Sequence, residues 1–215
     1  MPPPARAVRA LPPAEAPGAP RRRQARSAAT RERLLDAAIE AFIAQGYAAL
    51  TTTEVCRRAR LSQGALFKHF ASKAGLVGAT AERLFAALIE DFRAAFAEVP
   101  AQGDGLGVAL RQLVRTFGER RLLAALELYT AARTDPVLRA QLAPVLVRHR
   151  ANLLREAREL FPRAAASNPD FDAIVDAVIA ALQGAALGGL VHEDPEAARR
   201  SFAWLERIVR GELEG

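Results

Sequence analysis

The sequence predicts an all-α fold: an N-terminal three-helix head holding a helix-turn-helix, followed by a larger helical domain, about nine helices in all. Three observations predict it. The hydrophobic fraction is 51%, carried mostly by Ala and Leu, and aromatics make up only 6%; such a composition favours helix over strand. Apolar residues recur three and four positions apart, the period of one helix face. Ser, Thr or Asp stands where these runs begin, and Gly or Pro where they stop, which are helix start and stop signals.

Residues 1–24 form a Pro- and Arg-rich tail. Seven of the thirteen prolines fall within residues 1–20, and a segment with so little bulk to bury is expected to be disordered. Arg21, Arg22, Arg23 and Arg26 form a cationic cluster, either an arm that reaches a phosphate backbone or a solubilising linker. From Ala28 a first helix is expected, with Leu34, Leu35, Ala38, Ile39, Phe42 and Ile43 on its apolar face. Gly46 ends it. The threonines at 51–53 cap a second helix running from Thr53 to Ala59, and Ser62 caps a third from Gln63 to Phe70. Ser72 caps a long fourth helix from Lys73 to about Glu98. Asp104 opens a fifth to Phe117, and a sixth spans Glu119 to Ala132. Asp135-Pro136 starts a seventh, which Pro144 kinks and Phe161-Pro162 ends. Asn168-Pro169-Asp170 opens an eighth to Gly189, and Asp194-Pro195-Glu196 a ninth to Arg210. The head therefore spans residues 25–73 and the larger domain 74–215.

Two short helices joined by a tight turn, the second of them basic, match a helix-turn-helix. Val55, Ala59, Leu61 and Leu66 supply the contacts between them, and Cys56 is read as a small hydrophobe at the close approach. Arg60 stands where the turn usually wants glycine, since a left-handed backbone costs another residue about 1 kcal/mol. Either the turn differs here, or the guanidinium offsets that cost at a phosphate.

Charge is uneven along the chain. Residues 1–73 hold 13 Lys or Arg against 5 Asp or Glu, whereas residues 74–215 hold 17 against 19. Such asymmetry suggests a polyanion partner for the basic end, or a solvated arginine-rich tail. The only two lysines among the 30 basic residues are Lys68 and Lys73. One cysteine excludes an internal disulfide and fits a reducing compartment. No apolar run is expected to reach the roughly 18 residues of a membrane span, because AVIAALQGAALGGLV is interrupted by Gln183 and glycines. No secretory signal is expected either, which predicts a cytoplasmic protein. Catalysis is not expected. His69, His149 and His192 fall in separate segments, His192-Glu193-Asp194 reads as a loop and helix cap, and no nucleophile motif, phosphate loop or paired carboxylates occur. No metal and no cofactor are expected.

The stretch GYAALTTTEVCRRARLSQGALFKHFASKAGL resembles the DNA-binding domain of a TetR/AcrR-family transcriptional regulator. The resemblance runs from about Thr30 to Leu76. It includes Gly46-Tyr47, Thr51-Thr52, Val55, Ala59, Leu61-Ser62, Gly64, Leu66, His69-Phe70 and Ser72-Lys73. Three positions depart from the family pattern: Arg60 for glycine, Cys56 for alanine, and Phe67 for a tyrosine whose hydroxyl would reach a phosphate. The stretch ELYTAARTDPVLRAQLAPV resembles the C-terminal domain of one branch of that family more weakly.

The resemblance implies that the third helix lies in the major groove. Gln63, Gly64, Ala65 and Lys68 would lie nearest the base edges; glutamine can read adenine bidentately, and Gly and Ala permit close approach. Phe67 would pack on a sugar or on the neighbouring helix. His69 and Lys73 would hold phosphates, and Thr51 and Thr52 would touch the opposite strand. It implies a small-molecule effector of unknown identity between helices four and eight, where Tyr129, Arg133, His149, Asn152 and Gln183 would join Phe85, Phe92 and Phe117. It also implies a homodimer through the last two helices. The eighth helix, apolar nearly all round and rich in Ala and Gly, is on its own composition expected to be buried on most sides. The function implied is a repressor released from a palindromic operator by its ligand. A DNA-binding architectural protein without a ligand is the alternative reading.

Overall fold

The computed structural model describes residues 19–97, 99, 104–192 and 194–214. The predicted disordered tail therefore lies largely outside the described residues, as do Glu98, Pro100 and Glu193. The described residues form ten helices: α1 (Ala19–Ala49), α2 (Thr52–Ala59), α3 (Gln63–His69), α4 (Lys73–Phe96), α5 (Gly105–Phe117), α6 (Arg120–Ala131), α7 (Pro136–Leu160), α8 (Pro162–Ser167), α9 (Phe171–Gly189) and α10 (Pro195–Glu214).

The starts of the helices follow their caps. The side chains of Thr51, Ser62, Ser72, Asp104 and Asp135 each accept a hydrogen bond from the backbone N–H three residues on, at 2.8–3.2 Å. Each satisfies one of the N–H groups that a helix start leaves without a partner.

Beyond shifts of one or two residues, four features differ from expectation. Gly46 breaks α1 but does not end it, and the helix runs on to Ala49. The first helix begins at Ala19, not Ala28. The Arg-, Ala- and Gln-rich stretch before residue 28 has no apolar run but strong helix propensity, so it extends α1 towards the N-terminus. Phe161-Pro162 ends α7 as expected, but Pro162 also occupies the first turn of an unexpected helix, α8; proline suits that position because its missing N–H is not needed there. The last helix runs past Arg210 to Glu214. Ion pairs of Arg210 with Glu206 and Glu214, each one turn away, carry it through Gly211.

Helices α1–α3 make the head. Leu34 (0% exposed), Phe42 (2%), Val55 (0%) and Leu66 (0%) form its centre, and full burial of each is worth roughly 1.5–3 kcal/mol. Arg33 donates to the Ala59 carbonyl at 2.7 Å, tying α1 to the end of α2. Helix α4 leads out of the head and packs along α7 through Leu84, Leu88 and Leu142, all buried. Arg93 on α4 pairs with the buried Glu156 on α7 at 2.6 Å, which fixes their register. Helices α5 and α6 also pack on α4, α9 packs on α5, α6 and α7, and α10 packs on α9 and α5.

Helix α9 corrects one expectation. Its most apolar stretch has a mean hydropathy of 1.5, so by length and composition this 19-residue helix is long and apolar enough to cross a membrane. Gln183 and the glycines carry no charge and do not interrupt it. Within one chain, 17% of its most apolar stretch is buried.

Candidate nucleic-acid interface and effector cavity

The recognition surface begins with the turn between α2 and α3. Arg60 adopts φ 52, ψ 47, the left-handed conformation that glycine would take without strain. The turn therefore has the usual geometry, and the arginine bears the strain. It leaves the guanidinium exposed at the end of α2.

Leu66 points inward from α3 and anchors it. Gln63, Gly64, Phe67 and Lys68 are exposed, while Ala65 and His69 are half-buried. Gln63 donates from Nε2 to Thr53 Oγ1 at 2.9 Å. Sequence reasoning missed this role of Thr53, because the contact depends on how α2 and α3 cross. The one available signal was the run of three threonines, of which only Thr51 is needed as the cap. Phe67 is 47% exposed, an apolar ring held out in solvent. Thr51 is exposed and Thr52 half-buried beside it. Lys73 is exposed in the first turn of α4.

The cations of this face divide into two groups. Arg57 and Arg58 are both hydrogen-bonded to Glu54, at 2.6–2.7 Å, and these bonds hold the Glu54 carboxyl at about 2. Arg60, Lys68 and Lys73 take part in none of the ion pairs among the described residues. Cys56 is 6% exposed, and burial pushes its thiol up, as suits a packing residue.

The head is latched to the larger domain at the end of α1. Gly46 has φ 78, a left-handed break that only glycine makes readily. It turns the Tyr47 N–H towards Glu127 Oε1 on α6, at 2.8 Å. The Tyr47 hydroxyl donates to Asp135 Oδ2 at the start of α7, also at 2.8 Å. Burial, reinforced by Asp135, raises the Tyr47 phenol to about 12.

Inside the larger domain lie two adjoining cavities. One, of about 40 Å³, is lined by Phe85, Phe92, Phe117, Tyr129, His149 and Gln183 among others. Six of the eight residues predicted for an effector site thus meet at one cavity. Arg133 does not: it is exposed in the turn between α6 and α7. Asn152 faces a neighbouring depression beside Glu82 and Arg148. The second cavity, of about 60 Å³, is wholly apolar and was not anticipated. It shares Phe92, Leu113, Leu153 and Ile179 with the first.

An exposed helix-turn-helix with unpaired cations, set beneath a helical domain with an internal cavity, is the architecture of a DNA-binding regulator. Residues 34–80 match the family described as bacterial regulatory proteins, tetR family, and residues 102–211 match the family described as tetracyclin repressor-like, C-terminal domain. An HTH-type transcriptional regulator of Mycobacterium tuberculosis is 32% identical over 90% of this chain and 99% of its own. The HTH-type regulator CymR of Pseudomonas putida is 28% identical over 84% of this chain and 89% of its own. Among solved structures, the multidrug binding protein EbrR, complexed with imidazole, is 28% identical with a TM-score of 0.58, covering 86% of this chain and 90% of that one. The fold is shared with a TetR-family regulator of Mesorhizobium loti (TM-score 0.64, 21% identity, 88% and 95% covered). The chain belongs to the TetR family of helix-turn-helix, DNA-binding transcriptional regulators, which are not enzymes.

Proposed function

We propose that this regulator is a cytoplasmic, homodimeric repressor that binds a pseudo-palindromic operator and leaves it when a small molecule occupies the internal cavities. The observation that carries the reading is the outward face of α3. Gln63, Gly64 and Lys68 are exposed above a fully buried Leu66, and Gln63 is already oriented by Thr53. Such a helix presents a bidentate amide and a cation at major-groove depth. Lys73, Thr51, Thr52 and His69 flank it and hold the phosphates, and Arg60 adds a further cation at the turn.

The dimer reading rests on α9 and α10. Between them runs a groove of about 910 Å³, lined by Ala181, Ala185, Gly188, Trp204 and others. Trp204 is 56% exposed and Ile208 44%. A side chain added at Gly184 or Gly188 would meet nothing within 4 Å, so a second helix can approach closely there. A second copy of this face covers the apolar surface and pairs two reading heads, as a two-fold operator requires. The effector reading is supported by the cavity residues brought together and by the imidazole-bound EbrR structure, a small-molecule complex on a similar chain.

Substituting Gln63 by Ala tests the reading head. In a binding selection from random DNA, Gln63→Ala should change the preferred base at one position of each half-site and leave the fold intact. An unchanged preferred site removes Gln63 from base recognition.

A further inference from the structure

We propose that the effector is an uncharged, mostly hydrophobic molecule with one hydroxyl group, an alcohol or phenol, held with that hydroxyl at His149 Nδ1. The proposal rests on the reading that the internal cavities are the effector site, and it specifies what enters them.

The argument begins with an orphaned atom. His149 Nδ1 is buried and has no hydrogen-bond partner. Buried polar atoms are nearly always paired, so one left open beside a cavity marks where a ligand group fits. The Phe85 ring lies against the imidazole with centroids 4.7 Å apart, which holds it in place. Burial lowers the His149 pKa to about 4, so the ring is neutral at physiological pH. In a neutral imidazole Nδ1 is a lone pair or an N–H according to the tautomer. A hydroxyl satisfies both, because it donates and accepts. Thr116, Tyr129 and Gln183 supply the other polar groups of the same cavity wall.

No Asp, Glu, Lys or Arg lines either cavity, and the two charged residues of the open depression that His149 also borders, Glu82 and Arg148, are paired with each other at 2.5 Å. A carboxylate or ammonium would lose its hydration with no counter-charge to replace it. Aromatic rings can hold a cation, but here two of them are already engaged: Phe92 stacks on Phe96 at 4.0 Å, and Phe85 packs against the tilted His149 ring. A plain hydrocarbon fills the space but leaves Nδ1 unpaired.

Size sets the rest. Neither cavity, at about 40 and about 60 Å³, reaches the roughly 150 Å³ that accommodates a benzene ring. A ligand must open the wall they share, at Phe92, Leu113, Leu153 and Ile179. The ligand is therefore slender, with its apolar end in the second cavity. Opening that wall also pushes α4, α5, α7 and α9 apart, so that occupancy becomes movement.

The test is calorimetric titration of the full chain with four matched probes: 4-butylphenol, butylbenzene, 4-butylbenzoate and 4-butylphenyltrimethylammonium. The phenol should bind about tenfold more tightly than the hydrocarbon, and both charged probes more weakly than the phenol by at least about tenfold. In His149→Leu the advantage of phenol over hydrocarbon should fall below about threefold. Equal binding of phenol and hydrocarbon to the unaltered chain overturns the hydroxyl assignment, as does an advantage that survives His149→Leu. Tighter binding of either charged probe overturns the neutral class. Leu153→Trp, which fills the shared wall, separates the site from the class. Loss of binding in that variant upholds the cavity as the site whichever probe wins. Binding that persists there, or binding of none of the four to the unaltered chain, overturns cavity and ligand class together.

Discussion

At the scale of single residues, Arg60, Lys68 and Lys73 are three exposed cations without ion pairs among the described residues, in a head where Glu54 engages both Arg57 and Arg58. Under the proposed function, Arg60 and Lys73 meet phosphates and Lys68 enters the major groove. Lys73→Ala should weaken binding to every DNA sequence alike. It should also make the slope of log affinity against log salt shallower by about 0.9 per protomer, measured by fluorescence anisotropy across a salt series. A loss confined to one sequence would contradict the phosphate role. His149 makes a separate prediction. Its folded pKa of about 4 lies below the ordinary 6.5, so between those values the unfolded chain binds a proton that the folded chain does not. Stability therefore falls as pH drops from about 6.5 to 4, by up to about 3 kcal/mol for this one group. His149→Gln should flatten the slope in that window in urea titrations at pH 7, 6 and 5. An unchanged slope would mean that the ring is solvated. The caps were legible in the sequence because a cap is a local matter of one side chain and three residues. The Gln63–Thr53 bond and the open Nδ1 of His149 were not, because each depends on how two helices cross.

At the scale of helices, the latch at the end of α1 joins three elements. Gly46 makes the break, Glu127 on α6 receives the Tyr47 N–H, and Asp135 at the start of α7 receives the Tyr47 hydroxyl. Helix α6 also supplies Leu122, Leu126 and Tyr129 to the cavity wall. A displaced α6 therefore moves a group that holds the head. Tyr47→Phe keeps the ring and removes one hydrogen bond. It should lower unfolding stability by about 1 kcal/mol without changing helix content by circular dichroism; no loss would mean that the bond to Asp135 does not persist in solution. Element types and most boundaries were readable from period and punctuation. One boundary holds a second role that punctuation alone does not show: Pro162 ends α7 and also starts α8.

At the scale of the whole molecule, head and larger domain were recognisable in outline. The composition of α9 calls for burial, yet one chain leaves most of that helix uncovered. A single chain's pattern states that a face is apolar; it does not state what covers it. The account assigns that cover to a second copy, and so predicts that two α3 helices are held together to read two half-sites. The most direct measurement is a selection of bound fragments from the source organism's genomic DNA, at moderate salt and with excess nonspecific competitor. The account predicts recovery of a short inverted repeat, with half-site centres about one helical turn apart or a multiple of that. Fragments sharing no motif, or a single half-site without its inverted partner, would contradict it.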